Sequence, residues 1–330
     1  MANALKAPFP WFGGKSRAAD LIWAALGDVD SYVEPFFGSG AVLLGRPSWH
    51  RGRVETVNDK DAYLSNFWRA VSMDPDAVAA AADWPVSEAD LTARHLWLLE
   101  HGSALTERLQ CDPLHYDARA AGWWVWGQCA WIAGGWCSGR GPWRAVDGVL
   151  SKGHAGQGIN RQLPHLGNAG QGINRKLPHL RDAGKGEQIR AWMRDLRSRL
   201  RDVRVCCGDW SRLVASDTVL WANRTPHNGV VLDPPYMEGD GSKDGTLYTG
   251  GGNVARDVET WCRENGHREQ LRIVLCGYAG NYDLPGWRVV PWNAAGGYGK
   301  TEEATANSAR EMLWLSPACL GEPEQLGLFG

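Results

Sequence analysis

The first seventy residues alternate between two hydrophobic patterns. Residues 15–26 and 62–71 carry apolar side chains at helical spacing, which predicts two amphipathic helices. Residues 31–36 and 53–59 are short runs, and each of them predicts a strand. Strands that alternate with helices favour a mainly parallel sheet with helices on its faces. The pattern therefore predicts an α/β fold.

The same pattern returns late in the chain, after a long interruption that includes a basic amphipathic helix over 187–202. We predict that 1–71 and 203–330 build one domain and that 72–202 are inserted into it. The later predicted strands are 203–210, 229–236, 272–280, 287–292 and 310–316.

The insertion contains an internal duplication. Residues 153–166, GHAGQGINRQLPHL, are followed directly by residues 167–180, GNAGQGINRKLPHL. A period of 14 residues is shorter than that of the common solenoid repeats. Two interpretations remain open: a tolerated loop lengthened by duplication, or an arm whose Arg, Asn and Gln side chains contact nucleic acid.

Positive charge is concentrated in one segment of the chain. The whole chain carries −2, but residues 140–212 hold 15 Lys and Arg against 6 Asp and Glu. That segment therefore carries +9 and the remainder −11, an asymmetry expected where one segment faces a polyanion. The candidate nucleic-acid contacts are Arg140, Arg144, Arg161, Arg175, Lys176, Arg190, Arg194 and Arg197.

The eight cysteines show no Cys-x2-Cys spacing, so reduced and mostly buried thiols are favoured over a zinc site. The first residues do not resemble a signal peptide, and no run approaches the roughly 18 apolar residues of a membrane span. We expect a cytoplasmic protein that binds neither a metal nor a membrane.

Two predicted strands end in residues suited to cofactor binding. After the first, Gly38 and Gly40 lie in a turn where a missing Cβ lets a ligand approach the backbone. The second ends at Asp59, about 20 residues later, where an acid can accept hydrogen bonds from ribose hydroxyls. The third glycine of the dinucleotide fingerprint is absent, which counts against a nicotinamide-dependent oxidoreductase.

A third strand ends in DPPY, residues 233–236. Proline has no N–H to donate, and two prolines in succession keep the chain extended, so the strand must stop here. In one interpretation the strand simply ends and Tyr236 is packing. In the other, the tetrapeptide is a rigid clamp that presents the Asp233 carboxylate, a backbone carbonyl and an aromatic face to a ligand.

Four motifs occur in a fixed order at these strand ends: PWFGGK (10–15), EPFFGSG (34–40), ND (58–59) and DPPY (233–236). In these motifs the chain resembles the Dam-like, D12-class DNA adenine-N6 methyltransferases of α-type order. In that family the target-recognition region lies between the glycine motif and DPPY, as the insertion does here. The resemblance implies a Rossmann-like methyltransferase fold, S-adenosylmethionine as cofactor and double-stranded DNA as substrate.

The resemblance also implies roles for individual residues. Catalysis falls to Asp233, Pro234, Pro235 and Tyr236 of the DPPY motif. The residues implied around the cofactor are Trp11, Lys15, Glu34, Pro35, Phe36, Gly38, Gly40, Asp59, Asp209, Trp210 and Asp233.

The DPPY motif suits the chemistry of an exocyclic amine. The adenine N6 amine is a poor nucleophile because its lone pair is delocalised into the ring. Asp233 can accept one N–H and the Pro234 carbonyl the other, and both bonds strengthen as the amine attacks. Tyr236 offers a face on which the base stacks. A base inside a duplex cannot reach such a pocket, so base flipping is implied.

Two other functions stay open. DNA cytosine-N4 methyltransferases use a related tetrapeptide that usually begins with Ser, so Asp233 favours adenine. A non-enzymatic DNA-binding protein with a decayed methyltransferase fold is the second alternative, and the intact motifs count against it. A cognate restriction endonuclease, as in restriction-modification systems, is a further partner compatible with the resemblance.

Overall fold

The computed structural model describes the chain in eleven stretches, and the account below is restricted to them. In the described part of the chain, no helix is both long and apolar enough to cross a membrane. The stretches are residues 5–11, 13–48, 53–112, 114–131, 136–137, 143–146, 149–152, 185–220, 224–235, 254–292 and 311–321.

Strands and short helices alternate at both ends of the described chain, whereas longer helices fill its middle. The helices are α1 (Ala19–Leu26), α2 (Ala41–Leu44), α3 (Ala62–Met73), α4 (Pro75–Ala82), α5 (Glu88–Cys111), α6 (Ala118–Ala130), α7 (Lys185–Leu200), α8 (Ser211–Val214), α9 (Asp217–Leu220) and α10 (Val254–Asn265). The strands are β1 (Ser31–Glu34), β2 (Val54–Asp59), β3 (Trp143–Val146), β4 (Val149–Lys152), β5 (Val203–Cys207), β6 (Asn228–Leu232), β7 (Leu271–Tyr278), β8 (Arg288–Pro291) and β9 (Glu311–Leu315).

Seven strands form one sheet in the order β5-β2-β1-β6-β7-β9-β8. The pairs β1/β2, β1/β6 and β6/β7 are parallel, whereas β7/β9 and β8/β9 are antiparallel. This mixed α/β architecture with a mostly parallel sheet confirms the fold class predicted from the sequence and is consistent with a Rossmann-like methyltransferase fold. The strands β3 and β4 pair separately as an antiparallel ribbon.

The central strands are buried along their whole length. Every residue of β1 and β6 is buried, as expected for parallel strands covered on both faces. Pro35 follows β1 directly, and Pro234 comes two residues after β6, so both strands end where the backbone can no longer continue the ladder. Their carboxyl ends therefore lie side by side at one edge of the sheet.

The described chain divides into two compact units. The first comprises residues 1–11, 59–201 and 205–208, and the second comprises 12–58, 202–204 and 209–330. The boundaries predicted from the sequence, at 72 and 203, remain a prediction of the domain organisation. The duplicated segment 153–180 lies outside the described residues.

The first unit is built on helices with an aromatic interior. Phe67, Trp68, Trp124 and Trp126 are fully or almost fully buried. Asp117 caps α6, because its carboxylate accepts a hydrogen bond from the N–H of Ala120 at 2.8 Å. The helix α6 thus contributes Trp124 and Trp126 to the aromatic interior of this unit.

All eight cysteines lie in the described residues, and none of them is part of a disulfide. Cys129, Cys207, Cys262 and Cys276 are buried and Cys111 is exposed, while the remaining three are of intermediate burial. Within the described residues, no cluster of three or more His, Cys, Asp or Glu is arranged to hold a metal ion.

Candidate active site at the strand ends of the second unit

An ion pair between a buried lysine and a half-buried aspartate lies at the end of β6. Asp233 follows the last residue of that strand, and its Oδ2 is 2.9 Å from the ammonium of Lys15. Lys15 also donates a hydrogen bond to the carbonyl of Gly13 at 2.8 Å. The lysine side chain is 5% exposed and the aspartate side chain 22% exposed, so the carboxylate alone is accessible to a ligand.

Two acids act on the Lys15 ammonium. Burial by itself lowers the pKa of Lys15, but attraction to Asp233 and Glu311 outweighs it, and the pKa is raised above its ordinary value. Lys15 therefore stays cationic at physiological pH, and its charge stabilises the ionised carboxylate beside it.

Sequence reasoning did not identify Glu311. It is the first residue of β9 and is 6% exposed. Because β9 runs antiparallel to β7, its first residue pairs with Tyr278, the last residue of β7. Glu311 therefore joins the carboxyl ends of the parallel strands. The sequence feature that could have indicated Glu311 is the presence of an acid at the start of an otherwise apolar strand.

Cys276, on β7, lies among these charges but stays a thiol. Burial raises its pKa first, and the negative charge of Asp233 raises it further, although Lys15 opposes the shift. A thiol with a raised pKa is a poor nucleophile, so Cys276 contributes packing to the site.

Glu34 closes β1 as a second buried acid. It is 3% exposed, and its Oε2 accepts a hydrogen bond from the Tyr32 hydroxyl at 2.7 Å. Burial raises the pKa of Tyr32, and the adjacent Glu34 carboxylate raises it further. Tyr32 therefore remains a protonated donor that orients Glu34 at the start of the glycine turn.

The glycine turn between β1 and α2 depends on left-handed backbone. Gly38 and Gly40 have φ angles of 49° and 65°. A Cβ on Gly40 would lie 2.7 Å from the ring of Phe37 beneath it. Glycine is thus required at position 40 by its own conformation and by this contact. Both glycines are buried, and the turn follows Glu34 in the chain by only a few residues.

Two aromatic rings stack beside this turn. Phe36 and Trp210 have ring centroids 5.9 Å apart and an interplanar angle of 26°. The neighbouring Asp209 is exposed, and its Oδ1 accepts hydrogen bonds from the Ser211 hydroxyl at 2.6 Å and the Ser211 N–H at 3.0 Å. Asp209 therefore stabilises the start of α8, a local role that sequence reasoning did not identify.

Trp11 and Asp59 belong to the first unit. Trp11 is half-buried and packs against Phe9 and Trp124, with centroid distances of 6.0 and 6.3 Å. Asp59 ends β2, and its Oδ1 accepts a hydrogen bond from the N–H of Asp61 at 2.9 Å. Their cofactor-binding roles remain predictions from the resemblance.

The remaining residues of the DPPY motif are described in part. Pro234 is buried and Pro235 half-buried, and both continue the chain beyond β6 without regular secondary structure. Pro35 is likewise buried after β1. Tyr236 lies outside the described residues.

Three candidate nucleic-acid contacts lie on α7. Arg190, Arg194 and Arg197 are exposed and share a helix face by their spacing. Arg194 forms a two-pronged ion pair with Asp76, at 2.7 and 3.1 Å. Arg144 lies on β3, of which only the backbone is described. Outside the described residues are Arg140, Arg161, Arg175 and Lys176.

Comparison with known proteins gives a family match for the N-terminal part of the chain. Residues 11–92 match the model of the D12 class N6 adenine-specific DNA methyltransferase family. The matched region contains Lys15, the glycine turn and Asp59, and it ends before the DPPY motif. The match confirms the predicted resemblance and supports DNA adenine methylation as the activity. A search of curated proteins gives no match.

Proposed function

We propose that the protein transfers a methyl group from S-adenosylmethionine to the N6 amine of an adenine flipped out of double-stranded DNA. The observation that carries this proposal is the Asp233 carboxylate. It is held by Lys15 at 2.9 Å and is 22% exposed at a strand end. The match of residues 11–92 to the adenine-specific family supports the choice of substrate.

The residues at the end of β1 fit the cofactor. Gly38 and Gly40 offer left-handed backbone without side chains, and Glu34 offers a buried carboxylate. When bound, S-adenosylmethionine supplies an electrophilic methyl group on a positively charged sulfur. The full set proposed to hold it is the set implied by the resemblance: Trp11, Lys15, Glu34, Pro35, Phe36, Gly38, Gly40, Asp59, Asp209, Trp210 and Asp233.

The chain's own contribution to the reaction is to hold and polarise the amine. Lys15 binds Oδ2 of Asp233 and keeps the carboxylate charged, so it can only accept hydrogen bonds. Asp233 then accepts one N–H of the adenine amine, and the Pro234 carbonyl accepts the other. Both bonds favour the pyramidal nitrogen that forms as the amine attacks, so they stabilise the transition state more than the ground state.

The test is methyl transfer from tritium-labelled S-adenosylmethionine to unmethylated DNA and to RNA, followed by separation of the nucleosides. We expect the label in N6-methyl-deoxyadenosine. Label in N4-methyl-deoxycytidine would show that the target base is cytosine and not adenine. Failure of folded protein both to transfer methyl groups and to bind S-adenosylmethionine in calorimetry would favour the non-enzymatic alternative.

Asp233→Ala should lower the rate of transfer by at least about 100-fold, the typical effect of losing one preorganised group that stabilises the transition state. Asp20→Ala, a change to an exposed acid on α1, is the matched control and should leave the rate unaltered. Retention of the wild-type rate by Asp233→Ala would refute the role of this carboxylate.

We further propose that the arginines of α7 contact phosphates of the bound DNA. Replacement of Arg197 by Ala should reduce the slope of log affinity against log salt concentration by about one, the loss of one phosphate contact. Arg194→Ala should change the slope less, because Asp76 already neutralises that guanidinium. An equal effect of both changes would contradict this assignment.

A further inference from the structure

Two buried hydrogen-bond donors beside Asp233 have no partner among the described residues. They are the hydroxyl of Tyr282 and the indole N–H of Trp292, on side chains that are 7% and 6% exposed. Nearly all buried polar groups in proteins are paired, and an unpaired one costs free energy. A partner that arrives with a ligand would remove this cost.

Packing fixes the position of the Tyr282 hydroxyl. A Cβ on Gly277 would lie 2.5 Å from Cε2 of the Tyr282 ring, so the ring rests directly on the backbone of β7. The ring also contacts Trp314, edge-on at a centroid distance of 5.0 Å and an interplanar angle of 82°. Because the ring is held on these sides, the hydroxyl cannot easily turn towards solvent to find a partner.

Both groups act as donors at neutral pH. Burial raises the pKa of Tyr282, and the negative charge of Asp233 raises it further, so the phenol keeps its proton. The indole of Trp292 can only donate. Trp292 lies near the same ion pair, with its ring centre 5.7 Å from the Lys15 ammonium, and its backbone N–H donates to the carbonyl of Glu311 at 3.1 Å.

The order of strands indicates which ligand these donors face. Along the sheet, β1 carries the glycine turn, β6 carries Asp233, and β7, β9 and β8 follow on the far side. Tyr282 comes four residues after the end of β7, and Trp292 directly follows β8. Along the sheet the donors therefore lie on the opposite side of Asp233 from the glycine turn, and we assign that side to the base.

We propose that Tyr282 and Trp292 are specificity-determining residues that donate hydrogen bonds to ring nitrogens of the target adenine. This inference rests on the proposed function. Once Asp233 and Pro234 hold the N6 amine, the edge of adenine offers only acceptors, N1 and N7, and both the Tyr282 hydroxyl and the Trp292 indole can donate to them. Guanine carries a hydrogen on N1, which the Tyr282 hydroxyl can accept but the Trp292 indole cannot, so the selection against guanine rests on Trp292.

The first test measures stability without ligands. Tyr282→Phe should leave the unfolding temperature unchanged or raise it, because the hydroxyl has no partner to lose. Tyr32→Phe is the matched control and should lower it, because that hydroxyl donates to Glu34 at 2.7 Å. An equal loss of stability in both variants would show that the Tyr282 hydroxyl has a structural partner and would overturn the proposal.

The second test is a thermodynamic cycle in which protein variants are combined with modified DNA substrates. Duplexes carry the site found by methylation-aware sequencing, with its target adenine replaced by 1-deazaadenine or 7-deazaadenine. Tyr282→Phe and Trp292→Phe should each slow single-turnover methylation of adenine about tenfold. Each variant should also be insensitive to one of the two replacements, because the interaction is already lost. Additive losses in every combination would refute the contact.

Cofactor binding separates the remaining outcomes. Calorimetry with S-adenosylmethionine should give the same affinity for wild type, Tyr282→Phe and Trp292→Phe. A weakened affinity in either variant would assign the donors to the cofactor and overturn the inference while leaving the proposed function intact. Absence of adenine methylation by the wild type would instead refute the proposed function, and this inference with it.

Discussion

Each of the two units buries a cation, and they do so in different ways. Lys15 in the second unit is 4% exposed and is paired with Asp233 at 2.9 Å. Arg94 in the first unit is 7% exposed, and its guanidinium lies over the rings of three tryptophans at 4.4 to 5.1 Å. Its Nη1 has no hydrogen-bond partner in the described part of the chain.

The surroundings move the two pKa values in opposite directions. Acids outweigh burial at Lys15, so its pKa is raised, whereas burial prevails at Arg94, so its pKa is lowered despite the attraction of Asp90. A carboxylate compensates a buried charge, but aromatic faces return only part of the lost hydration. We infer that the neighbouring carboxylates need the positive charge of Lys15 to stay partly or fully buried without loss of stability. The tryptophan rings, by contrast, only partly compensate the burial of the Arg94 charge.

Lys15→Met should have the largest effect on stability. It leaves the carboxylates of Asp233 and Glu311 without their cation, and breaking a buried ion pair on one side costs about 3 kcal/mol. Urea unfolding of the isolated protein gives the free energy directly. The double variant Lys15→Met/Asp233→Asn should recover part of the loss, and absence of any recovery would show that the cost is not electrostatic.

His95 should make the first unit sensitive to acid. It is fully buried and packs against the rings of Trp131 and Trp136, and burial lowers its pKa from 6.5 to about 4. The unfolded chain therefore takes up a proton below pH 6.5 that the folded chain refuses until about pH 4. Stability should fall through this window as pH decreases, by about 2 kcal/mol at pH 5.

Near-UV circular dichroism during urea unfolding at pH 7, 6 and 5 measures this loss, because the buried tryptophans give the signal. His95→Phe preserves an aromatic ring in the stack and should remove the pH dependence. His101→Gln, a change to an exposed histidine on α5, is the control and should retain it. A pH dependence unaffected by His95→Phe would mean that another group causes it.

Arg94→Met tests the other half of the comparison. The variant loses contacts with tryptophan rings but also removes a charge that no acid compensates directly. We expect a change in unfolding free energy within about 1 kcal/mol, the scale of a partly desolvated cation–π contact. A loss as large as that of Lys15→Met under the same conditions would show that ring faces hold a buried cation as firmly as carboxylates do.

Asp76→Ala should have the smallest effect. Its ion pair with Arg194 is exposed on both sides, and solvent and salt screen such pairs. The unfolding midpoint should not shift measurably at physiological salt. A clear shift would mean that the pair between α4 and α7 contributes more to the first unit than an exposed contact normally does.

The sequence predicted the order of helices and strands better than the side-chain contacts of the candidate site. Short apolar runs and prolines predicted where β1 and β6 lie, because both are local signals. The contact of Lys15 with Asp233 joins residues 218 positions apart in sequence, and no periodicity reports such a pair. Glu311 was missed because the direction of β9 decides which of its ends reaches the site, and hydrophobic pattern does not encode direction.

The unpaired donors were missed for a different reason. Tyr282 and Trp292 lie in connections after strands, where an aromatic residue is most simply interpreted as packing. In the folded protein, packing accounts for the ring of Tyr282 but leaves its hydroxyl without a hydrogen-bond partner among the described residues. The roles of the glycine turn, Asp59 and the DPPY motif, by contrast, were predicted from motifs and stay predictions until the experiments above are done.

The antiparallel course of β9 ties the electrostatics of the site to the packing of the sheet. Leu313 and Leu315 fill the interior from the strand that begins at Glu311, and side chains alternate between faces along it. A shift of β9 by one residue would exchange these leucines with the side chains of the opposite face, where Trp314 is buried, and would also displace Glu311. The negative charge of Glu311 therefore cannot be moved or removed by a shift of β9 without disturbing the packing of the sheet. Only a substitution at position 311 changes it alone.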